Sequence, residues 1–425
     1  MLKGWTERFT GTAHSIRFLL PLIGSVVVLV GTSSPPALSQ SASSPTYRVI
    51  HNFTATRSDG ASPYGGVTLD PFGNIYGTTY VGGRYGAGSV YQISHNGSSW
   101  VFHLLHSFKG GSTDGSGPGF GDLILRNHCE LLGTTEGGYP GGTAFEVRPR
   151  GNSCNGDGSG WQETLLHQFG SGQDGEQPIG GVVMDPAGNL FGTTSEGGAY
   201  GNGTIYEITS SGAERVLYSF TGGSDGTNPA AGVSVGAKDD LYGTTSFGGA
   251  YGYGVVYELS PSASGWTEKV LYNFQGQNDG DYPVGGVIVG PGGNLYGTTF
   301  DGGVNGGGTV YQLSPSGEGW TFVTLHSFSG AFGGPYNKLT LGPAGSLYGT
   351  TNGEGTYGLG SVFKLVPAHG TWTFTDLYDF SGGSDGRTPY GRVAVDSRGD
   401  VFGTADIGGS KNDGVVFEIE DNASR

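Results

Sequence analysis

Five carboxylates and two aromatic residues recur at one place in this chain, close behind a repeated Gly-Thr-Thr. They are Tyr80, Glu136, Glu196, Phe247, Asp301, Glu354 and Asp406, one from each of seven repeat units. Carboxylates accept hydrogen bonds from hydroxyl groups, and a pair of them can carry general acid and base chemistry. Aromatic rings offer flat apolar faces, with a polar tip in Tyr. Further along the same loops lie Tyr85, Tyr139, Tyr200, Tyr251 and Tyr357, and neighbouring loops add Tyr64, Tyr282, Tyr336 and Tyr390. Such a face suits a polysaccharide, with rings stacked on sugars and acids bonded to their hydroxyls.

Other residue patterns point to architecture. Asp59, Asp114, Asp174, Asp225, Asp279 and Asp385 each precede a Gly in a loop of the form G-x-x-D-G-x-x-P. Calcium loops supply several oxygens at short spacing, whereas each of these offers one acid, so Asp-Gly turn chemistry is expected. His51, His106, His167 and His326 share one repeat position with Tyr218, Tyr272 and Tyr378, which marks packing. Gly-rich loops of the form GG-x-x-G-x-G precede strands, and no Gly-Lys-Ser/Thr follows, which argues against a phosphate cradle. No Ser/His/Asp order or His/Cys spacing stands out. No catalytic residue, metal or cofactor is assigned, and nothing suggests the cofactor pocket of a quinoprotein-type dehydrogenase.

The elements that must position these residues are repeats. The core is IYGTT (75–79), LLGTT (131–135), LFGTT (190–194), LYGTT (241–245, 295–299 and 347–351) and VFGTA (401–405), with successive glycines 51 to 59 residues apart. Each unit holds four strand-like runs, a to d. In the fifth these are GVIV (286–289), NLYGTT (294–299), TVYQL (309–313) and TFVTLHSF (321–328), separated by turn formers. Four antiparallel strands per unit of about 50 residues is a propeller blade. The expected fold is all-β, a seven-bladed β-propeller.

The chain begins with a d-like strand, YRVIHNF (47–53), and its last unit supplies only a, b and c. Pairing these ends closes the ring and removes two exposed sheet edges. In the meander, the b–c and d–a loops share one face of the ring, and the a–b and c–d connections the other.

The run LYGTT-x-x-GG-x-x-G-x-G-x-[VI]-Y-[EQ]-[LI] resembles the Gloeo/Verruco (GloVer) choice-of-anchor tandem repeats. It is carried here by Leu241 to Thr245, Gly248, Gly249, Gly252, Gly254 and Val256 to Leu259, and the resemblance covers about 47–420. It implies an exported bacterial protein with a variable C-terminal anchor, and it supplies no activity. Nothing after Glu420 reads as a sorting tail.

Composition agrees with many short strands joined by tight turns. The chain of 425 residues has 87 Gly, 23 Tyr, 22 Phe and only 13% charged residues. Net charge is −16. Lys3, Arg8 and Arg17 against Glu7 make residues 1–39 net +2, leaving −18 on the rest. Such acidity repels phosphate backbones and excludes nucleic acid as an expected partner.

Residues 1–39 read as a signal peptide. It has a basic start, an apolar run at 18–31 and a small-x-small site at Ala37-Leu38-Ser39. The apolar run is shorter than the roughly 20 residues a span needs, though retention as an anchor stays open. An extracellular or periplasmic location is expected, with no transmembrane segment in the mature chain. Residues 40–46 are a short linker, 47–420 the propeller and 421–425 a tail. Cys129 and Cys154 lie in the second unit, and an exported chain permits a disulfide or two thiols there. The chain is read as a monomer.

Two functions compete. The leading one is a non-catalytic binding or scaffold module recognising polysaccharide or a cell-surface protein. The alternative is a polysaccharide lyase or glycoside hydrolase using the b–c loop carboxylates, which would need two carboxyls about 5–9 Å apart.

Overall fold

In the computed structural model, the described residues are 44–421, except 98, 112, 139, 152–153, 155–159, 171 and 331–332. The signal-peptide reading of 1–39, most of the linker, residues 422–425 and Tyr139 fall outside them. Seven four-stranded antiparallel sheets form the blades of a closed ring. Blade 1 is built from strands a to d at Thr68–Leu69, Ile75–Thr79, Ser89–Asn96 and Ser99–Ser107. Blades 2 to 6 run from 124 to 168, 182 to 219, 234 to 273, 287 to 327 and 340 to 379. Blade 7 takes a, b and c from Ala394–Val395, Val401–Ala405 and Val415–Glu420, and d from Thr46–Asn52. That d strand pairs antiparallel with c, from Thr46 opposite Glu420 to Asn52 opposite Val415. The ring closes as the offset of the repeats predicts.

The Gly of each Gly-Thr-Thr has a steric cause. In every blade it faces a strand c aromatic, for example Gly77 and Tyr91, Gly243 and Tyr257, or Gly403 and Phe417. A Cβ on Gly243 would stand 2.3 Å from the Tyr257 hydroxyl oxygen. The ring fills the room that Gly leaves.

The two threonines then work in different directions. The second bonds strand b to strand c, as between Thr299 and Thr309 at 2.9 Å. The first donates to the neighbouring blade's d–a loop, as from Thr193 to Ala231 O at 2.9 Å. The same bond from Thr404 to Gly65 O, at 2.9 Å, joins blade 7 to blade 1.

The apolar core lies between blades. A Phe at the end of each strand d packs edge-on or tilted against the next blade's strand c aromatic. Phe220 meets Tyr257 at 5.2 Å, Phe380 meets Phe417 at 5.3 Å, and Phe53 meets Tyr91 at 5.4 Å across the closure. These Phe and strand c rings are fully buried, and each contributes roughly 2–3 kcal/mol.

Cys129 and Cys154 are joined by a disulfide, with Cα atoms 5.4 Å apart. It ties the a–b turn of blade 2 to its c–d connection, on the face away from the b–c loops. Among the described residues no helix is long and apolar enough to cross a membrane.

Candidate functional site

The d–a and b–c loops share one face because they pair with each other. Backbone bridges join Glu176 to Glu196, Thr227 to Phe247, Asp281 to Asp301 and Arg387 to Ile407. Each d–a loop then turns at a Pro toward the axis. The side chains delivered there are Tyr64, Phe120, Ile179, Ala230, Val284, Tyr336 and Tyr390, from blades 1 to 7 in order.

Four of these rings meet. Tyr64 lies 5.1 Å from Phe120, Phe120 5.3 Å from Tyr336, Tyr336 5.5 Å from Tyr390, and Tyr390 5.4 Å from Tyr64. Blades 2 and 6 are not neighbours, so the contact of Phe120 with Tyr336 crosses the central channel. Tyr80 extends the cluster at 5.1 Å from Tyr64, and Phe300 does so at 5.5 Å from Tyr336. Tyr282 and Phe247 continue it outward. The rings of this mouth are half-buried.

Two carboxylates join the mouth. Glu136 Oε1 accepts a short hydrogen bond from the Tyr80 hydroxyl. This bond, with burial and the negative charge, pushes the phenol up to about 12. Asp406 is only 4% exposed, and its Oδ1 is buried with no hydrogen-bond partner among the described residues. Burial pushes its carboxyl up to about 6, against a hydrogen bond with Ser62 and the charge of Arg387. Tyr64 is raised first by burial, then by Asp406, Tyr390 and Glu136, so both acids act on one phenol.

The remaining sequence candidates lie elsewhere. Glu196 is exposed, and Phe247, at 48% exposure, packs on Tyr282 at 5.0 Å. Asp301 faces Asp281, and burial raises both carboxyls, Asp281 further through its neighbour's charge. Glu354 accepts a short bond from the Gly330 amide and borders a groove with His326, Asp376 and Asp379. There burial and then Asp379 push Asp376 up to about 7. Tyr85, Tyr200, Tyr251 and Tyr357 are exposed, at 51% to 63%.

The seven residues therefore do not form one ring. Tyr80, Glu136 and Asp406 directly follow the Thr pair or its Thr-Ala equivalent and point to the axis. Glu196, Phe247 and Asp301 are one residue further on, and pleating sends them outward. Their inward equivalents are Ser195, Ser246 and Phe300.

Sequence reasoning missed Phe120 and Phe300. It also missed a charged trio one layer deeper. The residue before the apolar start of strand a is Gly66, Gly181, Gly232 and Gly286 in blades 1, 3, 4 and 5. In blades 2, 6 and 7 it is Asp122, Lys338 and Arg392. Aligning the units at this Gly would have exposed all three.

Lys338 Nζ donates to Val233 O across the channel at 2.9 Å. Arg392 Nε donates to Thr340 Oγ1 at 2.9 Å, and its Nη1 is 3.7 Å from Asp122 Oδ2. Asp122 Oδ1 accepts from the Gly66 amide at 3.0 Å. Burial raises the Asp122 carboxyl against the charge of Arg392. Burial, then Arg392, pushes Lys338 down to about 7.

The loop aspartates are anchors. Asp225 accepts from the Tyr218 hydroxyl at 3.0 Å and the Thr221 amide at 2.7 Å, and Asp279 and Asp385 repeat the pattern. His51 and His167 take the Tyr role toward Asp59 and Asp174, at 3.2 and 3.1 Å. Among the described residues no group of three His, Cys, Asp or Glu is placed to hold a metal ion.

The sequence pattern described as the Gloeobacter/Verrucomicrobia repeat matches residues 139–287 and 235–425. No curated protein matches the chain. Among solved structures, the chain is similar to the extracellular domain of a one-component system from B. thetaiotaomicron. There the TM-score is 0.52 and identity 9%, over 88% of this chain and 40% of that one. This likeness supports the fold, and the chain spans well under half of that protein. A protein named as an oxidoreductase (glucose dehydrogenase) from Thermus thermophilus matches with TM-score 0.44 and 17% identity, over 78% of this chain and 99% of that one. One named for gluconolactonase activity matches with TM-score 0.40 and 12% identity, over 89% and 92%.

Proposed function

The chain belongs to the Gloeobacter/Verrucomicrobia repeat family, and on that premise we propose that it is an exported recognition module that holds a saccharide at its axial mouth. The observation that carries this reading is the convergence of Tyr64, Phe120, Tyr336 and Tyr390 from four blades, with Glu136 and Asp406 beside them. Ring faces stack on the apolar face of a sugar, while phenols and carboxylates take its hydroxyls. A concave site of aromatic walls with a few convergent polar groups is the usual form of a small-ligand pocket. The test is a glycan and cell-wall polysaccharide array with the purified protein, with reducing-end release followed in the same wells. Binding without release supports the module, and loss of binding in Tyr64→Ala and Tyr390→Ala assigns it to the mouth. Absence of any saccharide signal overturns the reading and leaves a scaffold for protein partners.

One observation favours a second reading. A buried carboxyl pushed up to about 6 is suited to deliver a proton. Release of reducing ends that disappears in Asp406→Asn would make the protein a polysaccharide-active enzyme.

A further inference from the structure

We propose that the channel beneath the aromatic mouth is a carboxylate subsite, in which Lys338 holds the acid group of a uronic-acid saccharide and the Arg392 guanidinium adds positive charge from behind Asp122. This rests on the saccharide reading and narrows it to acidic sugars.

The trio is not needed to build the ring. Four blades reach the same point with Gly, and at Gly181 and Gly286 the backbone lies at φ +71°, where a side chain is strained. A Cβ on Gly66 would stand 2.2 Å from Arg392 O and 2.5 Å from Asp122 Oδ1. The fold runs with nothing at this position, so the three side chains are additions. All three fall on blades that also place an aromatic ring at the mouth.

Charge singles them out further. The chain is −16 overall and has only 20 Lys and Arg, yet two of them stand in this deeper layer, where the repeat position supplies one acid, Asp122. A purely structural pair would be neutral, because an uncompensated charge away from water is costly. With Lys338 protonated, this trio is net positive.

Asp122 also serves to orient. One oxygen is taken by the Gly66 amide, and the other faces Arg392 at 3.7 Å. The guanidinium is fixed further by Thr340, and the ammonium by Val233 O. An ammonium preset in this way binds a carboxylate with little loss of side-chain freedom, and the guanidinium beside Asp122 keeps the local charge favourable to an anion.

The space has the right size and connection. A cavity of about 60 Å³ is lined by Phe120 and Tyr336 from the mouth, by Asp122 and Lys338, and by Gly232 and Gly285 opposite. At roughly 15 Å³ for each water, it takes a planar carboxylate and little more. A sugar stacked on Phe120 or Tyr336 would therefore present its acid substituent downward to Lys338. The position of Lys338, held down to about 7 by burial and Arg392, is one that an entering anion relieves.

The test is calorimetric titration of the purified full chain with trigalacturonate, its methyl ester, neutral galactotriose and a sulfated galactose oligosaccharide. Triglucuronate and trimannuronate extend the acid arm. At least one acid sugar is expected to bind about tenfold or more tighter than its ester or neutral counterpart. Lys338→Met and Arg392→Gln are expected to bring the acid form down to the ester's affinity, with the circular dichroism spectrum unchanged.

Equal binding of acid, ester and neutral sugars overturns the subsite and leaves the saccharide module standing. Preference for the sulfated sugar alone overturns the carboxylate assignment. An acid preference that survives both substitutions places the anion elsewhere and overturns the proposal. Failure of every saccharide to bind removes both readings. The wild-type comparison of acid with ester needs no variant, so a lack of acid preference overturns the subsite even if a substitution unfolds the ring.

Discussion

Blades 6, 7, 1 and 2 and blades 3, 4 and 5 are built on one scaffold and lined by different residues. The first group puts Tyr336, Tyr390, Tyr64 and Phe120 at the mouth, and beneath them Lys338, Arg392 and Asp122, with Gly66 in blade 1. The second puts Ile179, Ala230 and Val284 at the mouth, and Gly181, Gly232 and Gly286 beneath. Strand registers, Thr bonds and buried Phe contacts are common to both groups. The repeat fixes the ring, and departures from the repeat, concentrated in blades 6, 7, 1 and 2 with Phe300 of blade 5 at their border, make the site. That also explains why one mouth wall is aromatic and charged while the other is small and apolar.

The largest effect is expected from deleting residues 46–53. Blade 7 alone takes a strand from the other end of the chain. The deletion removes Phe53, fully buried against Tyr91, and Tyr47, stacked on Tyr378 at 3.9 Å. A fall in Tm of about 10 °C or more, with loss of cooperativity, is expected from several lost buried side chains. An unchanged melt would end the closure argument.

Next in size, Gly243→Ala in blade 4 and Gly403→Ala in blade 7 should each cost about 3 kcal/mol, the upper range of overpacking. In both, the new Cβ meets a locked ring, at 2.3 and 2.5 Å. Equal shifts in denaturant midpoint would confirm a common scaffold. Unequal ones would show that the two groups differ in more than their lining.

Asp406→Asn tests the buried acid through pH. Its folded pKa of about 6 stands above the ordinary 3.8. The folded chain holds the proton more tightly, so the Asp406 contribution to stability is full below about pH 4 and is lost as pH rises through about 6. At about 1.4 kcal/mol per pKa unit, the variant should gain about 3 kcal/mol at pH 7 and lose that slope. A wild-type profile flat between pH 4 and 7 would show Asp406 to be solvated.

The smallest energetic effect belongs to the mouth. Tyr64→Ala or Tyr390→Ala should weaken saccharide binding about tenfold, as a centrally placed aromatic contact does. Ile179→Ala should leave it within about twofold. Equal losses on both sides would mean that the whole rim binds.

Much of the fold was legible in the chain. Seven Gly-Thr-Thr cores, four strands per unit and the displaced d strand state a closed seven-bladed ring, because period and edge pairing are local properties. The turn chemistry of the loop aspartates was legible too, since it is set within a few residues, but their bonds with the His and Tyr on strand d were not. The site was legible only in part. Tyr80, Glu136 and Asp406 reach the mouth, while Glu196, Phe247, Asp301 and Glu354 do not. A shift of one residue along an extended chain reverses the direction of a side chain, and loops of unequal length hide that shift.

From the sequence came the architecture: where each blade begins and which ends pair, whereas the strand c ring that demands Gly before the Thr pair came from the structure. Only the tertiary structure decided which residues share the axis. Phe120 and Tyr336 are 216 positions apart in the chain and belong to blades that are not neighbours, yet their rings stand 5.3 Å apart. Asp122, Lys338 and Arg392 meet for the same reason. Closing the ring converts one repeat position into one layer of a channel, and no local pattern carries that convergence.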